Sequence, residues 1–100
     1  MAEKVVVYWR DIPAQVIVRQ GRRRAAVELP ERFIKAIDRT AMKLGAKDSD
    51  AYLAEWRRGV PETVEGEPEA LAAEAAAAIE ALYTPERMNE LVANGGMAHD

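Results

Sequence analysis

Three short β-type runs fill the first thirty residues of the chain, separated by two backbone breakers. The run at 4–10 contains Val5-Val6-Val7-Tyr8-Trp9, and β-branched and aromatic side chains suit a pleated, half-buried surface. Val5, Val7 and Trp9 share one face of it, and Val6, Tyr8 and Arg10 the other. Asp11-Ile12-Pro13 then reads as a turn, because proline fixes φ and has no N–H for a ladder. The run at 14–20 puts Val16 and Val18 on one face and Gln15, Ile17 and Arg19 on the other. Gly21 opens a second turn. In the run at 24–29, Ala25, Val27 and Leu29 point inward, and Arg24, Ala26 and Glu28 point outward. Connections this short join antiparallel neighbours. The fold class is therefore α+β, a three-stranded antiparallel meander followed by three to four helices.

The period changes after residue 30. Pro30 suits the first position of a helix, where its missing N–H costs nothing. Phe33, Ile34, Ile37, Ala41 and Leu44 recur at helical spacing, and Gly45 ends the run. Asp48 or Ser49 is a suitable cap for a second helix over 50–58, with Tyr52, Leu53 and Trp56 on its apolar side. Gly59 and Pro61 stop that helix, and 60–68 reads as a polar connection. Pro68 begins a third helix with the stripe Leu71, Ala75, Ala78, Ile79 and Leu82. Thr84-Pro85 caps and opens a fourth, with Met88, Leu91 and Val92 on one side and Asn94-Gly95 at its end. Two parts follow: a core at 1–60 of three strands and two helices, and an acidic helical segment at 61–100, packed on it or extending from it.

Charge divides the chain in the same way. Residues 1–60 hold thirteen Lys or Arg against eight Asp or Glu, whereas 61–100 hold one arginine, Arg87, against nine acids. Either the two halves face each other or are simply solvated, or the basic half meets an anionic partner. A nucleic-acid-binding domain is usually basic overall, and this chain carries a net charge of −3. No cysteine is present, which removes disulfides, thiol chemistry and cysteine zinc sites. No apolar run approaches the roughly 20 residues that span a bilayer, and no signal-peptide pattern opens the chain. A cytoplasmic protein is expected.

The catalytic inventory is thin. His99 stands next to the last residue, and Ser49 is better explained as a helix cap than as a nucleophile. Ser–His and Cys–His catalysis lack their parts, and the glycines form no phosphate loop. A metal site would have to use carboxylates alone, and no pair of them stands out. No enzyme activity, cofactor or metal is expected. The candidate partner-binding residues are Tyr8, Trp9, Arg10 and Asp11 at the first turn, Arg22, Arg23 and Arg24 at the second, and Trp56 with Arg57. Arg10 and Asp11 can pair across the turn. One of the two rings, Tyr8 or Trp9, is available to stack on a partner while the other completes the core. The arginine corner can hold phosphate or carboxylate, or keep a hairpin edge from aggregating.

Two resemblances rest on quoted stretches. Val7-Tyr8-Trp9-Arg10-Asp11-Ile12-Pro13-Ala14-Gln15-Val16, Gln20-Gly21-Arg22, Glu28-Leu29-Pro30-Glu31-Arg32-Phe33 and Asp50-Ala51-Tyr52-Leu53-Ala54-Glu55-Trp56-Arg57-Arg58-Gly59 resemble, in order and spacing, the small proteobacterial family labelled "virulence factor". That resemblance implies an accessory protein acting on a larger protein partner, in the setting of folate- and corrinoid-linked one-carbon metabolism. It supplies no ligand residues. Ala25 to Arg58 resembles a ribbon-helix-helix unit, which implies the alternative of a DNA-binding regulator whose strand enters the major groove. In that alternative Glu28 would face phosphates.

Overall fold

A computed structural model describes residues 1–45 and 50–97 of the chain. The elements are β1 (Ala2–Trp9), β2 (Ile12–Gln20), β3 (Arg23–Glu28), α1 (Glu31–Lys43), α2 (Asp50–Ala54), β4 (Trp56–Arg58), β5 (Glu62–Val64), α3 (Pro68–Leu82) and α4 (Pro85–Ala93). The antiparallel meander forms as expected, but it belongs to a sheet of five strands rather than three. Its order is β3-β2-β1-β4, with β5 also paired to β1.

Both added strands lie on the free edge of β1. Trp56 pairs with Trp9 and Arg58 with Val7. Val64 pairs with Ala2 and Glu62 with Lys4. β4 and β5 thus form one edge strand, interrupted by a one-residue register slip around Gly59-Val60-Pro61. The expected helix over 50–58 ends at Ala54. In a continuing helix the Tyr52 carbonyl would accept the Trp56 N–H. Here it accepts the Glu55 N–H at 3.3 Å, a tighter closing turn, and the indole N–H of Trp9 at 2.9 Å. Five residues are also too few to hold a helix by themselves. Pairing with β1 therefore takes Trp56 to Arg58, and the segment read as a polar connection contains β5. The proposed caps Asp48 and Ser49, and His99, lie outside the described residues.

The first turn is also shifted. It falls at Arg10-Asp11, and Ile12 and Pro13 already belong to β2. The ladder slips between Val7 and Tyr8, opposite Ala14, and such an irregularity is where a strand tolerates proline. Pro30 precedes α1 as its N-cap rather than entering it. Pro68 and Pro85 do open their helices, and the Thr84 hydroxyl accepts from the Arg87 N–H at 3.2 Å.

The core joins Trp9, Ile12, Val16 and Val18 of the sheet to Phe33, Ala36, Ile37 and Ala41 of α1. Ala72 and Ala76 of α3 and Met88, Leu91 and Val92 of α4 complete it. α3 lies over β2 and β3, and α4 packs on α1. The stripe on α3 is rotated from the expected one. Ala72 and Ala76 are buried, Leu71, Ala75 and Ile79 half-buried, and Ala78 and Leu82 exposed. Ile34, Leu44 and Leu53, also expected inside, are exposed as well. No helix among the described residues is long and apolar enough to cross a membrane.

Candidate functional site

The turn between β1 and β2 holds Arg10 at φ 54°, a left-handed conformation that most side chains avoid. Its side chain is held at Nε and Nη1. Nε donates to Glu55 Oε2 at 2.5 Å and Nη1 to the Gly95 carbonyl at 2.8 Å. The Arg10 N–H donates to the Glu55 carbonyl at 3.1 Å, and the Asp11 N–H to the Gly96 carbonyl at 2.8 Å. The expected Arg10–Asp11 pair is replaced by these bonds. Arg10 fastens the turn to the α2–β4 corner and to the chain after α4. Trp9 is 0% exposed, and its ring lies 5.7 Å from that of Tyr52. Exposing it to a partner would forfeit roughly 2–3 kcal/mol of apolar burial. Trp9 is therefore core, and Tyr8 is the ring left at the surface.

Tyr8 marks the junction of two adjoining cavities between the β4–β5 edge and the helices. One, of about 350 Å³, runs under α3 past Lys4, Val6, Gly59, Ala75, Ile79, Leu82 and Tyr83. The other, of about 320 Å³, opens toward α4 and is lined by Asp11, Arg57, Val60, Tyr83, Arg87 and Leu91 as well as Tyr8. β4 places Arg57 directly opposite Tyr8. Its guanidinium lies 4.6 Å from the Tyr8 ring centroid, and Nη2 donates to Asp11 Oδ1 at 2.9 Å. On the facing wall the guanidinium of Arg87 lies 5.6 Å from the ring of Tyr83. Burial pushes the Tyr83 phenol above its ordinary value, and the nearby Tyr8 adds to the shift. The phenol therefore stays protonated at neutral pH, a hydrogen-bond donor to a bound group rather than a base. The Arg87 side chain forms no ion pair with a described residue. The cleft thus presents the Arg57–Asp11 pair over one aromatic face and Arg87 over another, beside an apolar trough, with a net charge of one cation among these three groups. This suits an anionic group attached to an apolar body.

Of the residues singled out by sequence, Tyr8, Asp11 and Arg57 come together here. Trp56 is half-buried one position away, its ring 6.1 Å from Tyr52 and edge-on to it. Arg22, Arg23 and Arg24 stand at the far end of β2, roughly 30 Å away at the usual rise per residue, so the two turns do not form one surface. Arg23 is held by Glu67, and by Glu69 at 3.1 Å. The ribbon-helix-helix pattern does not assemble within 25–58. β3 pairs with β2 of its own chain, α2 stops at Ala54, and Trp56–Arg58 is a strand.

Sequence reasoning missed Tyr83, Arg87 and Gly59 as cleft residues. Arg87 carried a signal, since it is the one basic residue in the acidic half of the chain. A wider hollow of about 580 Å³ between α1 and α4, lined by Arg39, Met42, Lys43, Asn89, Val92 and Ala93, contains none of the singled-out residues. The model of a family described as "Virulence factor" matches residues 7–92. No curated protein and no solved structure matches the chain.

Proposed function

The chain belongs to the virulence factor family, and from that premise we propose that it is a non-enzymatic interaction protein that docks on a larger protein through the Tyr8–Asp11–Arg57–Tyr83–Arg87 cleft. The observation that carries this reading is the pair of guanidiniums, Arg57 and Arg87, seated on facing tyrosines at the mouth of an apolar trough. Such a site takes an acidic side chain or chain end together with a neighbouring apolar residue. Its ionisable groups are suited to holding rather than to proton transfer: Asp11 is bound by Arg57, and Tyr83 keeps its proton. The finer expectation, service to an enzyme of folate- or corrinoid-linked one-carbon metabolism, rests on the sequence resemblance alone.

Affinity purification from the native host tests the reading. A stoichiometric protein partner should be recovered with the wild type and with Arg22→Ala. It should be lost with the double variant Arg57→Ala/Arg87→Ala, provided circular dichroism shows that variant folded. Recovery undiminished by the double variant, or no partner under several growth conditions, overturns it.

A further inference from the structure

We infer that two copies of this chain pair through the free edge of β3, in one defined antiparallel register. β3 ends the sheet on one side, whereas the opposite edge is broken at Gly59-Val60-Pro61. In an antiparallel ladder, backbone groups alternate between the two sides of a strand. The Leu29 N–H donates to the Ala14 carbonyl at 3.0 Å. By alternation Val27, Ala25 and Arg23 also bond toward β2, and the N–H and C=O groups of Arg24, Ala26 and Glu28 point outward. A second β3 must therefore pair outward residues with outward residues. Placing Ala26 opposite its own copy brings all three from each chain into the ladder, with Arg24 opposite Glu28 twice.

That register also eases a charge conflict on the face of the sheet that carries Arg24 and Glu28. Arg24 lies opposite Arg19 across the β2–β3 ladder, and like charges so placed repel; Glu3, the carboxylate of that row, stands on the far side of Arg19 and leaves Arg24 at the outer end. No described residue forms an ion pair with Arg19, Arg24 or Glu28. The second copy sets a carboxylate beside each repelling pair. On the same face the apolar row Val5, Ile17, Ala26 stops at the exposed Ala26, and pairing continues it across the two-fold axis.

α3 fits the same arrangement. Its buried Ala72 and Ala76 face inward, and Ala75, Ile79 and Leu82 line the cleft over β1. At about 100° per residue, the exposed Ala73, Ala77 and Glu80 lie on the opposite flank, above the free edge, with the two alanines nearest its middle. With strands about 4.8 Å apart, a helix lying over β2 and β3 meets its copy at about 10 Å. Small side chains permit that spacing.

Reciprocal charge reversal tests the register, with sedimentation of the full chain over a concentration series as the readout. The wild type should dimerise with rising concentration, and less so in high salt. Arg24→Glu alone and Glu28→Arg alone should each remain monomeric, because each sets like charges opposite one another. An equimolar mixture of these two variants should dimerise again, as should the double variant alone. Circular dichroism of each single variant establishes that it is folded. A wild type monomeric throughout overturns the inference, as does a dimer indifferent to the single reversals or a mixture that stays monomeric. The cleft residues are untouched by these changes, so a failure here leaves the partner reading standing, and the converse also holds.

Discussion

Arg10 has a conformation and a set of partners that pull in opposite directions energetically. A left-handed φ of 54° at a residue with a Cβ costs about 1–2 kcal/mol. The guanidinium offsets this with two charge-assisted bonds, to Glu55 and to the Gly95 carbonyl, in a side chain 27% exposed. Hydrogen bonds of this kind contribute about 1.5–3 kcal/mol each when protected, and less where water competes. Arg10→Ala keeps the backbone cost and loses both bonds, so it should destabilise the protein by about 2–4 kcal/mol. Arg10→Gly loses the same bonds but relaxes the backbone, and should be about 1 kcal/mol less damaging. Urea denaturation of the two variants decides it. Equal losses, or a larger loss for glycine, would mean the turn stores no strain at this residue. The sequence marked Arg10 as important but not for this reason. A β-run followed by a proline turn says nothing about a carbonyl eighty-five positions away, so the residue read as a contact is a clamp instead.

The edge strand β4–β5 shows which elements local patterns can reveal. β1 to β3 and α1, α3 and α4 announce themselves by period, by breakers and by the Thr84-Pro85 cap. The region 50–64 does not, because Tyr52 and Trp56 stand four apart and satisfy helical spacing. Their rings do meet, but across a helix-to-strand corner. What selects the strand is long-range: the Trp9 indole anchors the Tyr52 carbonyl at the corner, and β1 offers an open edge. Gly59 acquires a different role in consequence. It reads as a helix stop, yet its N–H donates to the Val6 carbonyl at 2.8 Å. A Cβ added there would meet Tyr8 Cε1 at 3.0 Å and the Val6 carbonyl oxygen at 3.2 Å. Gly59→Ala should therefore displace the Tyr8 ring, loosen the edge strand and cost about 1–3 kcal/mol. Thermal denaturation measures the cost, and amide chemical shifts of Tyr8 and Arg57 report the displacement. A variant as stable as the wild type with those shifts unmoved would show that the approach is looser than the structure has it.

Across the whole molecule, the basic and acidic halves meet each other. Lys4 pairs with Glu62 at 3.3 Å, and Arg23 with Glu67 and Glu69. The less obvious contacts are made to backbone. α3 and α4 have no basic residue in their last turns, although a helix C-terminus favours a cation there. α1 supplies one to each. Arg32 donates to the Tyr83 carbonyl at 2.5 Å and to the Glu80 carbonyl at 3.0 Å. Lys43 donates to the Ala93 carbonyl at 3.4 Å. The charge split visible in the sequence is thus partly a division of labour, in which one half's cations close the helices of the other. Its detail was illegible beforehand because carbonyls at helix ends carry no side-chain signal. The two caps differ in geometry: Arg32 makes two bonds, one of them part-buried, and lies 4.4 Å from the Phe33 ring centroid, whereas Lys43 makes one long, exposed bond. Arg32→Ala should therefore cost about 1–3 kcal/mol and keep most of that cost in high salt, since a partly buried cation on oriented carbonyls is weakly screened. Lys43→Ala should cost no more than about 0.5 kcal/mol and become silent as salt rises. Guanidinium and urea denaturation run in parallel separate the two, because guanidinium screens charge as it unfolds the chain. Equal effects from Arg32 and Lys43 in both denaturants would mean that the acidic half is held by its net charge and not by its helix ends.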